Sequence, residues 1–150
     1  MSGYKGKRTL RVALIRAKLA EMEESARIVQ EHLPPSQEEF ASLGIVKDGI
    51  YKRAEHALET VFDICAIVNS DLMLGVPEAD QGIVENLTDA GILTGEMAAK
   101  LCSMMKFRDI LLYQYGRIDD ALAFQILSED LDDLFEFMEV AEGILERSTR

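Results

Sequence analysis

The sequence predicts an all-α protein, an up-and-down four-helix bundle with one or two short extra helices. Three observations carry this expectation. Apolar residues recur at alternating spacings of three and four along most of the chain, the period of a helix with one buried stripe. No stretch alternates apolar and polar residues long enough to read as a strand. Three prolines mark only two breaks, Pro34-Pro35 and Pro77. The 150 residues are read as one domain spanning 1–150, a length that buries a core without a metal or disulfide.

The first helix is expected over about 8–32, with the seam Ile15, Leu19, Met22, Ala26, Val29 and Leu33, ended by Pro34-Pro35. Ser36 and Glu39 form an S-x-x-E capping pattern that opens a short helix, closed by Gly44. A second long helix starts near Asp48 along Tyr51, Ala54, Leu58, Val61, Cys65, Val68 and Leu72, and stops before Gly75. A shorter helix follows over about 78–90, with Gly91 as its C-terminal cap. Thr94 caps the next long helix, whose line runs Met97, Leu101, Met104, Arg108, Leu111, Tyr115 until Gly116 breaks it. The last helix, about 119–147, carries Leu127, Leu131, Leu134, Met138, Ala141 and Leu145, with Asp119 and Asp120 where negative charge favours a helix start. The shared period near 3.5 fits helices packed at shallow angles.

Charge narrows the function classes. The net charge is −11, from 16 basic and 27 acidic side chains. Six of the basic groups (Lys5, Lys7, Arg8, Arg11, Arg16, Lys18) lie in residues 1–18, which hold no acid. The span 119–146 holds ten acids and no base, a solvated helix face or a docking surface for a basic partner. Such a surface does not bind nucleic acid generally, because polyphosphate binding runs through lysine and arginine. RNA contact is therefore expected only near the basic N-terminal segment or at an arginine-bearing cleft. No apolar run is long enough for a membrane helix, and residues 1–11 do not read as a signal peptide. Cys65 and Cys102 match no metal or redox spacing and are expected as reduced core residues of a cytoplasmic protein. The ferritin-type E-x-x-H pattern is absent: Val29 precedes His32 by three and Arg53 precedes His56 by three. His32 is expected at a helix C-terminus and His56 on an exposed helix face. No cofactor is expected.

One residue breaks the pattern. Arg108 falls on the apolar line of its helix, and a buried guanidinium is costly unless paired. It either reaches the edge, pairs with an acid, bridges two subunits, or faces a polar cleft. On an ideal helix Arg108 and Tyr115 (i, i+7) share a face, whereas Arg108 and Tyr113 (i, i+5) lie about 140° apart.

The stretch Met105-Lys106-Phe107-Arg108-Asp109-Ile110-Leu111-Leu112-Tyr113-Gln114-Tyr115, followed by Arg117-Ile118-Asp119, resembles the signature of the HEPN superfamily, in particular its HepT-like branch. The branch reads roughly F-R-N-x-L-V-H-x-Y, with a core of Arg-x4-His-x-Tyr. Tyr51-Lys52-Arg53-Ala54, the stretch from Asn86-Leu87 to Gly91-Ile92-Leu93 and the acidic last helix with Asp133-Leu134-Phe135 fit the same pattern. The resemblance implies a homodimeric four-helix bundle that acts as a metal-independent endoribonuclease toxin. Its partner would be a small nucleotidyltransferase antitoxin that adenylylates the motif tyrosine. Carried over, Arg108 is the motif arginine and Tyr115 the motif tyrosine, a candidate AMP acceptor. This sequence departs at two positions: Tyr113 stands at the histidine position and Asp109 at the asparagine position. Histidine suits proton transfer near neutral pH, whereas tyrosine, with an ordinary pKa near 10, is a poor base. The resemblance therefore implies a degenerate nuclease of weak or no activity, with Arg108, Tyr113 and Asp109 lining its cleft. The alternative is a non-catalytic dimeric binding subunit of the nucleotidyltransferase.

Overall fold

The structure, a computed structural model, describes residues 9–148. Among these residues the chain forms α1 (Val12–His32), α2 (Gln37–Ala41), α3 (Ile45–Asp71), α4 (Asp80–Asp89), α5 (Gly95–Tyr113), a 3-10 turn (Tyr115–Arg117) and α6 (Asp120–Ser148). No strand occurs among the described residues. The expected architecture therefore holds: α1, α3, α5 and α6 are the four long helices, and α2 and α4 the short ones. Lys5, Lys7 and Arg8 of the basic segment lie outside the described residues.

Local chemistry sets most boundaries. Ser36 Oγ accepts from the Glu39 N–H and Thr94 Oγ1 from the Met97 N–H, satisfying first-turn donors of α2 and α5. Asp119 Oδ1 accepts from the N–H groups of Ala121 and Leu122 at the start of α6. Gly91, at φ 75°, ends α4 in a left-handed residue. The Ile92 N–H then returns to the Leu87 carbonyl and the Gly91 N–H to that of Thr88, satisfying two last-turn carbonyls. Two starts differ from expectation by three residues or more. α1 opens at Val12 rather than residue 8, after Arg11 has sent its backbone N–H and its Nε to Asp71. α3 opens at Ile45, three residues early, because Gly44 at φ 64° turns the chain directly into the helix.

Ion pairs between helices report their directions. Arg11 meets Asp71 and, further along α1, Lys18 meets Asp63, so α1 and α3 run antiparallel. Lys100 of α5 reaches Glu136 of α6 at 2.5 Å, Arg16 reaches Glu142, and Lys47 reaches Asp120. Part of the acidic last helix thus faces bases supplied by α1, α3 and α5. The helices follow one another around a ring, α1 on α3, α3 on α5, α5 on α6 and α6 on α1. α4 lies against α3 and α5.

The seams read from the sequence are the core. Ile15, Leu19, Met22, Ala26 and Val29 of α1 and Leu127, Leu131, Leu134, Ala141 and Leu145 of α6 are buried. α3 buries more than one stripe: Ile50, Ala57, Phe62 and Ile64 join the expected line because α3 packs against α1, α4, α5 and α6 together. Cys65 is buried, which pushes its thiol up to about 12. Cys102 is half-buried against the core. His32 is exposed, its Nδ1 on the Ile28 carbonyl, and His56 is exposed.

One core carboxyl is out of place. The Asp130 carboxyl is 6% exposed and its Oδ2 has no hydrogen-bond partner. It faces a small cavity lined by Val29, Ala54, Ala57, Leu58, Leu127, Leu131 and Leu134, none of them titratable. Burial, reinforced by Asp133 and Glu129 on the same helix, pushes it up to about 7. An unfolded aspartate titrates near 4, so the folded state holds the proton more tightly. Stability from this group is present in acid and is lost as pH rises from about 4 to about 7. At about 1.4 kcal/mol per tenfold change, charging it in the folded state costs up to about 4 kcal/mol. Asp130→Asn should therefore raise Tm at pH 8 and change it much less at pH 5, measured by circular dichroism melts. Leu58, 1% exposed against the same cavity, should lose about 2–5 kcal/mol on replacement by alanine, measured by urea denaturation.

Candidate functional site

The site is built on the last two turns of α5. Arg108 lies where the apolar line requires it to point inward, and its side chain is 13% exposed. Three contacts make that burial tolerable. Its Nη1 donates to Asp80 Oδ2 at 2.5 Å, from the first residue of α4. Its Nε and Nη2 both donate to Asp109 Oδ1, at 3.2 and 2.9 Å. Its guanidinium carbon stands 4.9 Å from the centre of the Phe62 ring of α3, within cation–π range. Burial pulls the Arg108 pKa down, but the hydrogen bonds to Asp80 and Asp109 outweigh it and the net shift is upward. The arginine is charged at every working pH.

Arg108 nonetheless meets solvent. It lines an open groove of about 310 Å³ together with Glu59, Phe62, Asp63, Ala66, Asp80, Leu112 and Tyr113. Tyr113, the last residue of α5, is 80% exposed. Of the options open to the sequence, two hold at once: the arginine pairs with acids, and it faces a polar cleft. The cleft is acidic, with Glu59, Asp63 and Asp80 around one guanidinium.

The ideal-helix relation does not extend to Tyr115. α5 ends at Tyr113, before Gly116, where the Gln114 N–H closes on the Ile110 carbonyl and the chain enters the 3-10 turn Tyr115–Arg117. Tyr115 is thus off the helix, and the extrapolated i, i+7 face no longer applies to it. Its hydroxyl donates to Asp48 Oδ1 at 2.7 Å, and its ring meets Tyr51 edge-on with centroids 5.9 Å apart. Beside it, Tyr51 Oη donates to Asp120 Oδ1 at 2.6 Å and Lys47 Nζ to Asp120 Oδ2 at 2.7 Å. Burial and the Asp48 carboxylate push the Tyr115 phenol up to about 12. Burial and Asp120 push Tyr51 further above its ordinary value. Burial alone would raise Asp120, but the hydrogen bonds from Lys47 and Tyr51 hold it below the usual carboxylate range.

The motif residues therefore divide into two neighbourhoods. Arg108, Asp109 and Tyr113 belong to the groove side, with Asp109 bound to the arginine rather than lining the groove. Tyr115 belongs to a polar cluster at the starts of α3 and α6. Sequence reasoning missed Asp80, Phe62, Asp48, Lys47 and Asp120, whose relevance comes only from where the helices bring them. Among the described residues, no group of three or more His, Cys, Asp or Glu side chains could hold a metal ion.

The model of the ribonuclease HepT-like family matches residues 22–141, and the chain belongs to that family. A relative from Archaeoglobus fulgidus, provisionally named as an RNase, is 30% identical over 99 residues, 66% of this chain and 74% of the relative. The mRNA nuclease HepT of Shewanella oneidensis is 19% identical over 98 residues, 65% of this chain and 74% of that protein. Among solved structures, the tri-AMPylated Shewanella oneidensis HEPN toxin in complex with MNT antitoxin has the same fold. The TM-score is 0.77 at 19% identity, covering 86% of this chain and 96% of that one.

Proposed function

We propose that this chain is the ribonuclease-type toxin of a toxin–antitoxin pair whose other member is a small nucleotidyltransferase. In this reading it is a cytoplasmic homodimer with one domain spanning 1–150, and its hydrolytic centre has lost the histidine. The observation that carries the reading is Arg108: a motif arginine on the wall of an open groove, with Tyr113 at the motif spacing beside it, in a chain of the ribonuclease HepT-like family. No helix among the described residues is long and apolar enough to cross a membrane.

The roles follow from the chemistry. Cleavage of a phosphodiester without a metal needs a charge stabiliser at the phosphate and a group that moves protons. Arg108 supplies the first, since a guanidinium meets two phosphate oxygens through parallel N–H donors. Tyr113 stands where the proton carrier belongs and is unsuited to the work, so hydrolysis is weak or absent. Asp109 adds negative charge next to the arginine and opposes phosphate approach. Tyr115 is the candidate AMP acceptor, its oxygen held by Asp48 away from the groove. AMP there would add bulk and charge near the end of the motif helix.

The carboxylates around Arg108 favour a second reading: a non-catalytic dimer that serves as binding subunit for the nucleotidyltransferase. RNA cleavage separates the two. Tyr113→His should cleave about a hundredfold faster than wild type, the low side of what a positioned proton carrier contributes, and Arg108→Ala should abolish cleavage in both backgrounds. If Tyr113→His gives no gain and Arg108→Ala leaves wild-type cleavage unchanged, the nuclease reading fails and the binding-subunit reading stands. The acceptor role is tested by intact mass after incubation with a small nucleotidyltransferase, of the antitoxin type, and ATP. Adducts of AMP mass are expected on wild type and lost in Tyr115→Phe; a wild-type chain without adduct removes that role.

A further inference from the structure

The guanidinium of Arg108 already holds two carboxylates. A guanidinium grips two oxygens through one of its forks, either Nε with an Nη or the two Nη groups together. Here Asp109 occupies the fork formed by Nε and Nη2. Asp80 occupies Nη1, one half of the terminal fork. A phosphate that binds in two-point fashion through either fork competes with a carboxylate for at least one nitrogen.

The two carboxylates differ in how easily they leave. Asp109 is the next residue on the same helix and cannot move far from Arg108 while α5 stays wound. Asp80 comes from another element. It is the first residue of α4, its side chain is 36% exposed, and Ala79 before it makes no side-chain cap. Released from Arg108, Asp80 would still sit at a helix N-terminus, where negative charge is favoured. The segment ahead of it, from residue 72 to residue 79, is not helical, and Val76 within it is 98% exposed.

We propose that Asp80 is a resident carboxylate in the phosphate position of Arg108, and that RNA engages this arginine only when α4 gives it up. The inference rests on the reading of Arg108 as an RNA phosphate contact and adds the group that regulates access to it. The resting groove is closed by charge rather than by bulk. Its remaining acids, Glu59 and Asp63, line the same groove; Asp63 is met by Lys18, and Glu59 adds to the repulsion of a phosphate that has not displaced Asp80. Either a movement of α4 or a partner that captures Asp80 would open the site.

The test is equilibrium binding of a fluorescent single-stranded RNA of about 20 nucleotides, read by anisotropy in one buffer, with a circular dichroism melt of every variant. Asp80→Asn and Asp80→Ala should each tighten binding about fivefold or more. Asp89→Asn, which removes the same charge from the exposed far end of α4, should not. The gain should vanish when Arg108→Ala is added to Asp80→Asn. If Arg108→Ala weakens wild-type binding but neither Asp80 variant tightens it, the inference is wrong and the reading of Arg108 survives. A gain that persists without Arg108, or that Asp89→Asn reproduces, is a net-charge effect and also overturns the inference. If Arg108→Ala changes binding in no background, both fall together. Should one Asp80 variant melt early, the other decides.

Discussion

A guanidinium cannot be withdrawn from water alone, and much around the motif helix answers to that constraint. The arginine sits on the apolar line of α5 because the helix period puts it there. Its charge must then be met from outside that line: by the adjacent Asp109 of the same helix, by Asp80 from α4, and by the ring of Phe62 from α3. Such an arrangement is poor evidence of stability, because desolvating two ions consumes most of what their attraction returns. Its value is positional. It ties α4 to the motif helix, and it holds a cation at the edge of solvent in a fixed orientation.

The second organising event is the early end of α5. A helix carried on to Gly116 would have set Tyr115 above Arg108. Stopping at Tyr113 and inserting a 3-10 turn sends the next aromatic ring to Tyr51 and its hydroxyl to Asp48. Two chemically distinct neighbourhoods arise from residues only seven positions apart. One is an open acidic groove with a single guanidinium. The other is a hydrogen-bonded cluster of two phenols, two carboxylates and a lysine that joins the start of α3 to the start of α6.

The bundle was largely readable from residue order alone. The stripes at three-four spacing, the caps at Ser36 and Thr94 and the left-handed Gly91 depend on short-range chemistry, so they survive without knowledge of the partners. α3 was underestimated because a helix packed on several neighbours buries more than one stripe, and Phe62 lies off the line one would draw. Arg108 stood out because it contradicts its own pattern. Asp80 and Asp48 did not, because an acidic residue in a helix first turn is an ordinary feature; only the approach of a distant element gives either one a task. The place of Tyr115 is not legible for a plainer reason: ideal-helix geometry does not carry through a helix end.

Five of the cations are spent between elements. Arg11, Arg16, Lys18, Lys47 and Lys100 each face an acid of another element, in a chain whose net charge is −11. At that net charge the long-range field of the whole surface pushes a polyanion away. Dissolved ions thus act in opposite senses on the two stages of an encounter. They shield the repulsion that slows approach, and they weaken the close-range grip of an arginine once contact is made. Polyanion capture by such a body should be fastest at an intermediate ionic strength, unlike the steady decline with added electrolyte that basic nucleic-acid binders display.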